Sequence, residues 1–96
     1  MTYLDDIARR IEAKVSPDLV PEGSADLFRL YALLVRAKGA EVDAEDVHDA
    51  WVAWMSAAGE RHPSMVGFQQ LSPEIQREDE PFLAAIRAVA VEVSSE

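Results

Sequence analysis

Two histidines, two tryptophans and an arginine–histidine–proline corner hold most of the chemistry this sequence offers. All of them fall in one stretch, Asp46 to Leu71, DVHDAWVAWMSAAGERHPSMVGFQQL. His48 and Trp51 stand three apart, so a helix places them on one face; Trp51 and Met55 stand four apart, with Trp54 beside them. A flat indole next to an imidazole that can donate or accept a hydrogen bond suits a planar ligand. Arg61, His62 and Pro63 combine a fixed cation, an ionisable ring and a rigid residue, a set that can meet an anion. Each group also has a plainer reading. Large aromatics at helical spacing usually anchor a core, His48 then sits at its rim with one nitrogen hydrogen-bonded, and Arg61–Pro63 is an exposed polar turn.

Other chemistries find little support. Two histidines without HxxxH spacing or paired carboxylates do not make a metal ligand set. Glu41, Asp43, Glu45, Asp46 and Asp49 lack the alternation and central glycine of a calcium loop. No cysteine and no GxSxG elbow are present, Ser64 beside His62 is not a dyad, and no glycine-rich loop cradles a phosphate. With no nucleophile, base and orienter together, the expectation is a non-enzymatic protein without metal or cofactor.

The composition narrows the partners. A net charge of −9 repels phosphate backbones, so nucleic acid is not an expected partner. The 49% hydrophobic content argues against disorder, and 96 residues suit a single core. No basic, apolar, small-residue series opens the chain, and the apolar run Leu30–Val35 is far too short to cross a membrane. A soluble cytoplasmic domain, with neither leader nor membrane association, is therefore expected; the absence of cysteine suits that compartment.

The elements that must position the site read as helices throughout. Leu4, Ile7, Ala8, Ile11 and Val15 recur at three-four spacing from Thr2, a cap, to Ser16-Pro17, a stop. Pro17 to Gly23 reads as an extended connector with Leu19 and Val20 tucked against the core. Ser24 then caps a helix from Ala25 to Lys38, ended by Gly39, which carries Leu27, Leu30, Tyr31, Leu34 and Val35 on one face and Phe28 on its flank. As the most apolar helix it is expected at the centre. Asp43 caps a third helix whose stripe is Val47, Ala50, Trp51, Trp54, Met55 and Ala58, ended by Gly59. A loop follows; Ser72-Pro73 starts a short helix to about Glu78, and Asp79 or Glu80 caps a last one, near Pro81 to Val93, before residues 94–96 fray. The fold class expected is all-α: a compact bundle of four main helices plus a short one, one domain over residues 1–96, with a helical pair at 1–42.

The order of residues from Val47 onward resembles the ryanodine-receptor repeat, the RyR domain. His48-x-x-Trp51, then His62-Pro63, then Met65-Val66, Phe68 and Leu71 follow that family's sequence of anchors, with the short and final helices after them, so that 43–93 is the RyR-like part. As a whole, with its YLDDIA opening and LFRLYALLVRAKG middle, the chain resembles small uncharacterised proteins of actinobacteria and their phages, and its arginine-over-lysine usage is that of high-GC genomes. The resemblance implies one of two roles. One is a module that senses or sequesters a nucleotide-derived small ligand in a phage or bacterial conflict setting. His48, Trp51, Arg61, His62 and Phe68 then form the site: Trp51 or Phe68 stacks on the base, and Arg61 and His62 meet phosphate. The other is a structural or regulatory interaction domain, a homo-oligomer or a phage factor docking on a host protein. Apolar residues such as Leu4, Ile11, Tyr31, Val91 and Val93, more than one small core needs, support it.

Overall fold

The helix from Ala25 to Lys38 (α2) is the element against which the others are laid. In the computed structural model, which describes residues 2–96, α2 touches Tyr3–Ala13 (α1), Ala44–Ala57 (α3) and Glu80–Ser94 (α5), and α1 also meets α5. A four-residue helix, Pro73–Gln76 (α4), completes the set; every regular element among the described residues is helical. The reason is the apolar spacing. Leu27, Phe28, Tyr31, Ala32 and Val35 make a broad buried band along α2, while Ile7, Ala8 and Ile11 of α1 and Ala85, Ile86, Val89 and Ala90 of α5 close on it. Phe28 meets Tyr31 edge to face at 5.4 Å, and Phe82 lies 6.0 Å from Tyr31, so the core grades into an aromatic corner. No helix is long and apolar enough to cross a membrane among the described residues.

The helix starts follow local chemistry. Thr2 and Asp5 form a reciprocal capping box at α1, as do Asp43 and Asp46 at α3, where Asp46 accepts the Asp43 amide at 3.0 Å and donates its own to Asp43 at 2.9 Å. The Lys38 ammonium, at the end of α2, also meets the Asp46 carboxylate at 2.9 Å, fixing the short 3₁₀ turn Gly39–Glu41 between them. That turn begins at φ +59°, ψ −133° on Gly39, a conformation only glycine adopts without strain. On the far side, Arg87 Nε donates to the Val42 carbonyl at 2.9 Å and ties α5 to the same connector.

Four expectations about the elements are corrected. Ser24 precedes α2 but does not cap it: at ψ 20° its side chain is not directed at the first amides, and its buried Oγ has no partner. The connector is not fully extended, because Pro17–Leu19 forms a 3₁₀ turn that leaves Leu19 exposed while Val20 packs on the core. Asp79 does not cap α5, since the 3₁₀ turn Arg77–Asp79 runs into the helix with Asp79 itself in the helical region, at φ −82°, ψ −14°. Pro81 is tolerated because it falls in the first turn, where no intrahelical amide is required. The last residues do not hang free: α5 continues to Ser94, and Glu96 forms a two-pronged ion pair with Arg10 of α1, at 2.7 and 3.2 Å.

Candidate functional site

The site is built where the chain leaves α3 and returns across it. Gly59, at φ +75°, turns the chain out of the helix, and the Glu60 amide donates back to the Met55 carbonyl at 3.0 Å. The returning segment is pinned at three places. Met65 donates to the His62 carbonyl at 2.9 Å, a 3₁₀ turn forms at Phe68–Gln70, and the Gln76 amide group donates to the carbonyls of Phe68 and Leu71 at 2.9 and 3.3 Å. The fourth tie is His48, whose Nε2 lies 2.6 Å from the Val66 carbonyl oxygen. A carbonyl only accepts, so Nε2 carries the hydrogen, and in the neutral ring Nδ1 keeps a lone pair.

His48 is 3% exposed, not at a rim. Of the expected α3 stripe only Val47 is buried with it; Ala50, Trp51, Trp54 and Met55 are partly covered and Ala58 is exposed. The physical reason is that helices pack against α3 along its first turns, while an irregular loop covers the rest and fills space less completely. The Trp51 ring stacks on His48 at 5.8 Å and meets His62 edge-on at 5.4 Å. Phe68 lies against the His48 ring at 6.1 Å.

Beside these rings is a cavity of about 260 Å³. Trp51, Tyr31 and Phe82 supply aromatic walls, and Leu27 and Leu71 add apolar ones. Its inner end is made by buried residues, Tyr31, Leu27 and His48, whereas His62, Ile75 and Glu78 are exposed and form its mouth. Asp79 lines it from the turn that feeds α5. Of the five residues expected in a ligand site, then, His48, Trp51 and His62 converge on one hollow. Phe68 backs His48 without walling the cavity, and Arg61 is exposed and is not part of its lining.

Tyr31, Phe82 and the acidic pair Glu78–Asp79 are the lining residues that sequence reasoning placed elsewhere. Spacing puts Tyr31 on the apolar face of its helix, and Asp79 or Glu80 reads as a helix cap. One signal existed: Tyr31 carries the only hydroxyl on the apolar face of α2, and a buried phenol usually seeks a partner. Nothing in the run Glu78-Asp79-Glu80 marks which acid turns inward.

Electrostatics single out Asp79. Burial pushes its carboxyl up to about 6; nearby His48 pulls it down and Glu78 pushes it up again. Burial, and then the Asp79 charge, also raise the Tyr31 phenol well above its usual range. A carboxyl raised above its unfolded value binds a proton more tightly when folded. Its contribution is therefore fully present below about pH 4 and is lost as pH rises through about 6. Asp79→Asn is thus expected to stabilise the protein at pH 7.5 and to change little at pH 4. The shift corresponds to at most about 3 kcal/mol, and water reaching the half-buried group reduces the expected gain to about 1 kcal/mol. Urea melts of both proteins at the two pH values measure the difference, with the other titrating groups cancelling.

Ser64 lines the cavity as well, but its amide, not its hydroxyl, meets His62, donating to Nδ1 at 3.0 Å. No cluster of three or more histidine or carboxylate side chains is arranged to hold a metal ion among the described residues.

No curated protein and no solved structure matches the chain. One family does, over residues 2–91, a span that includes every wall of the cavity. By that match the chain belongs to the DUF7701 family, a domain of unknown function.

Proposed function

We propose that the protein is a non-enzymatic binding module whose cavity takes the flat, nitrogen-containing head of a nucleotide-derived small ligand. The observation that carries this reading is the convergence of His48, Trp51 and His62 on one open hollow of about 260 Å³, with Tyr31 and Phe82 opposite. A heterocycle has the thickness and polarisable faces to lie between such rings, and its edge atoms can meet the polar groups at the inner end. The likeness of the 47–71 stretch to the ryanodine-receptor repeat points the same way.

The charges decide how the ligand enters. Asp79 and Glu78 line the hollow and Arg61 does not, so a phosphate is disfavoured inside. Any phosphate stays at the mouth beside His62, with the exposed Arg61 next to it in the chain. Isothermal titration of nucleosides, their phosphates and cyclic dinucleotides tests the reading. The expected result is measurable heat with at least one nucleoside, with little gain on adding phosphates. No heat with any of them at submillimolar ligand would overturn it.

The rival, an interaction domain, draws support from Tyr3, Leu33 and Val91, exposed apolar residues on α1, α2 and α5. Light scattering across a concentration series addresses its homo-oligomer form, since a self-associating chain changes mass with concentration.

A further inference from the structure

Ring walls decide whether a flat molecule fits; the polar atoms at the inner end decide which edge it must present. The Tyr31 side chain is 98% enclosed, lines the cavity, and its hydroxyl makes no hydrogen bond among the described residues. Unlike Ser24 Oγ, the one fully buried side-chain atom without a partner among the described residues, this hydroxyl keeps some exposure, so its donor and acceptor are free to meet water or a ligand in the cavity. After burial, the Asp79 charge adds to what raises the phenol. The Asp79 carboxylate also lines the cavity, and it makes neither an ion pair nor a hydrogen bond among the described residues. The third polar group at that end is committed elsewhere, because the His48 Nε2 hydrogen goes to Val66.

We propose that the inner end of the cavity selects a heterocycle with an amidine-type edge, two N–H groups on one N–C–N unit beside a ring carbonyl, the edge that guanine carries. This rests on the binding-module reading above and names the ligand class for the same hollow. An ionised carboxylate only accepts, and it can take two parallel N–H donors. Asp79 therefore accepts from the ring N–H and the exocyclic amine, and the Tyr31 hydroxyl donates to the adjacent carbonyl oxygen. Adenine places a ring lone pair where the carboxylate requires a donor, so it is disfavoured. Hypoxanthine keeps the carbonyl and the ring N–H but lacks the amine.

The raised carboxyl of Asp79 fits this arrangement, since a paired donor edge compensates the charge that burial otherwise penalises. The groups that face it are Glu78 from the same turn, His48 from α3, His62 from the loop and Tyr31 from α2.

Titration of guanosine and inosine into the wild-type protein, Asp79→Asn and Tyr31→Phe at pH 7.5 is the test. The two nucleosides differ by the single amine, so wild type is expected to prefer guanosine by about tenfold or more, the effect of one charge-assisted hydrogen bond. Asp79→Asn is expected to erase that preference, and Tyr31→Phe to weaken both nucleosides alike, because both carry the carbonyl. If neither nucleoside binds the wild type, the binding-module reading falls and the inference with it. If both bind wild type equally and Asp79→Asn changes neither, the hollow is still a binding site and the amidine-edge assignment is wrong.

Discussion

Phe28→Ala is expected to remove about 4 kcal/mol of stability, the largest effect of any single change considered. Phe28 is 2% exposed on the central helix, edge-on to Tyr31 and 6.4 Å from Phe82, so its truncation opens a void between α2 and α5. A domain of this length has roughly 5–14 kcal/mol in all, and a loss of that size lowers the melting temperature by about 15 °C or more. Phe28→Leu keeps most of the volume and is expected to cost about 1 kcal/mol. Thermal unfolding followed by circular dichroism distinguishes the two. Equal melting points for Phe28→Ala and the wild type would mean that α2 does not hold the core together.

The second large effect concerns the loop. His48→Ala removes both the donor to Val66 and the ring that Trp51 and Phe68 lie against. The expected loss is about 2–3 kcal/mol, combining a strong hydrogen bond with a small cavity. Its distribution matters more than its size. Amide exchange is expected to rise chiefly across residues 60–71, while α1 and α5 lose only the protection that follows from lower global stability. The Gln76 ties to Phe68 and Leu71 stay in place, so the end of the segment nearest α4 should open least. Uniform loss of protection across the whole chain would show that His48 supports the core and not the loop.

These two residues also mark what was legible in the sequence. Phe28 belongs to a helix whose limits follow from spacing, the basic last turn and Gly39, all interactions within a few residues. Its buried face, however, is rotated from the expected one: Phe28, placed on the flank, is buried, while Leu30 and Leu34 are only partly covered. Local interactions also set the caps at Thr2, Asp43 and Ser72, each of which accepts an amide three positions on. His48 is different. Its burial depends on a carbonyl eighteen positions later, in a segment with no period, and nothing local announces that pairing. An acid before Pro81 at a helix start usually serves as a cap, which made Asp79 or Glu80 the expected one. The Asp79 backbone instead continues the 3₁₀ turn from Arg77, and the carboxylate is left for the cavity. Leu19 and Ser24 diverged for the same kind of reason: the turn geometry of the connector, not residue type, settled where they face.

The candidate site was readable in part because His48, Trp51 and His62 lie close in sequence and on one helix face or its continuation. Its other half was not, since Tyr31 comes from α2, Phe82 from α5 and Asp79 from the turn before it, and their approach depends on the packed core. Arg61 illustrates the limit of inference from residue type, because a cation beside a histidine suggests an anion site, yet the hollow is lined by acids.

One measurement tests most directly the claim that the loop folds over α3 and leaves a ligand-sized hollow at Trp51. The two tryptophans give separate indole N–H signals in a proton–nitrogen correlation spectrum. Both pack against the core, but Trp51 also lines the cavity and Trp54 does not. Titration with guanosine is predicted to shift the Trp51 indole and the amides around Asp79 while the Trp54 indole stays in place. Shifts confined to Trp54, or none at either ring, would contradict the account.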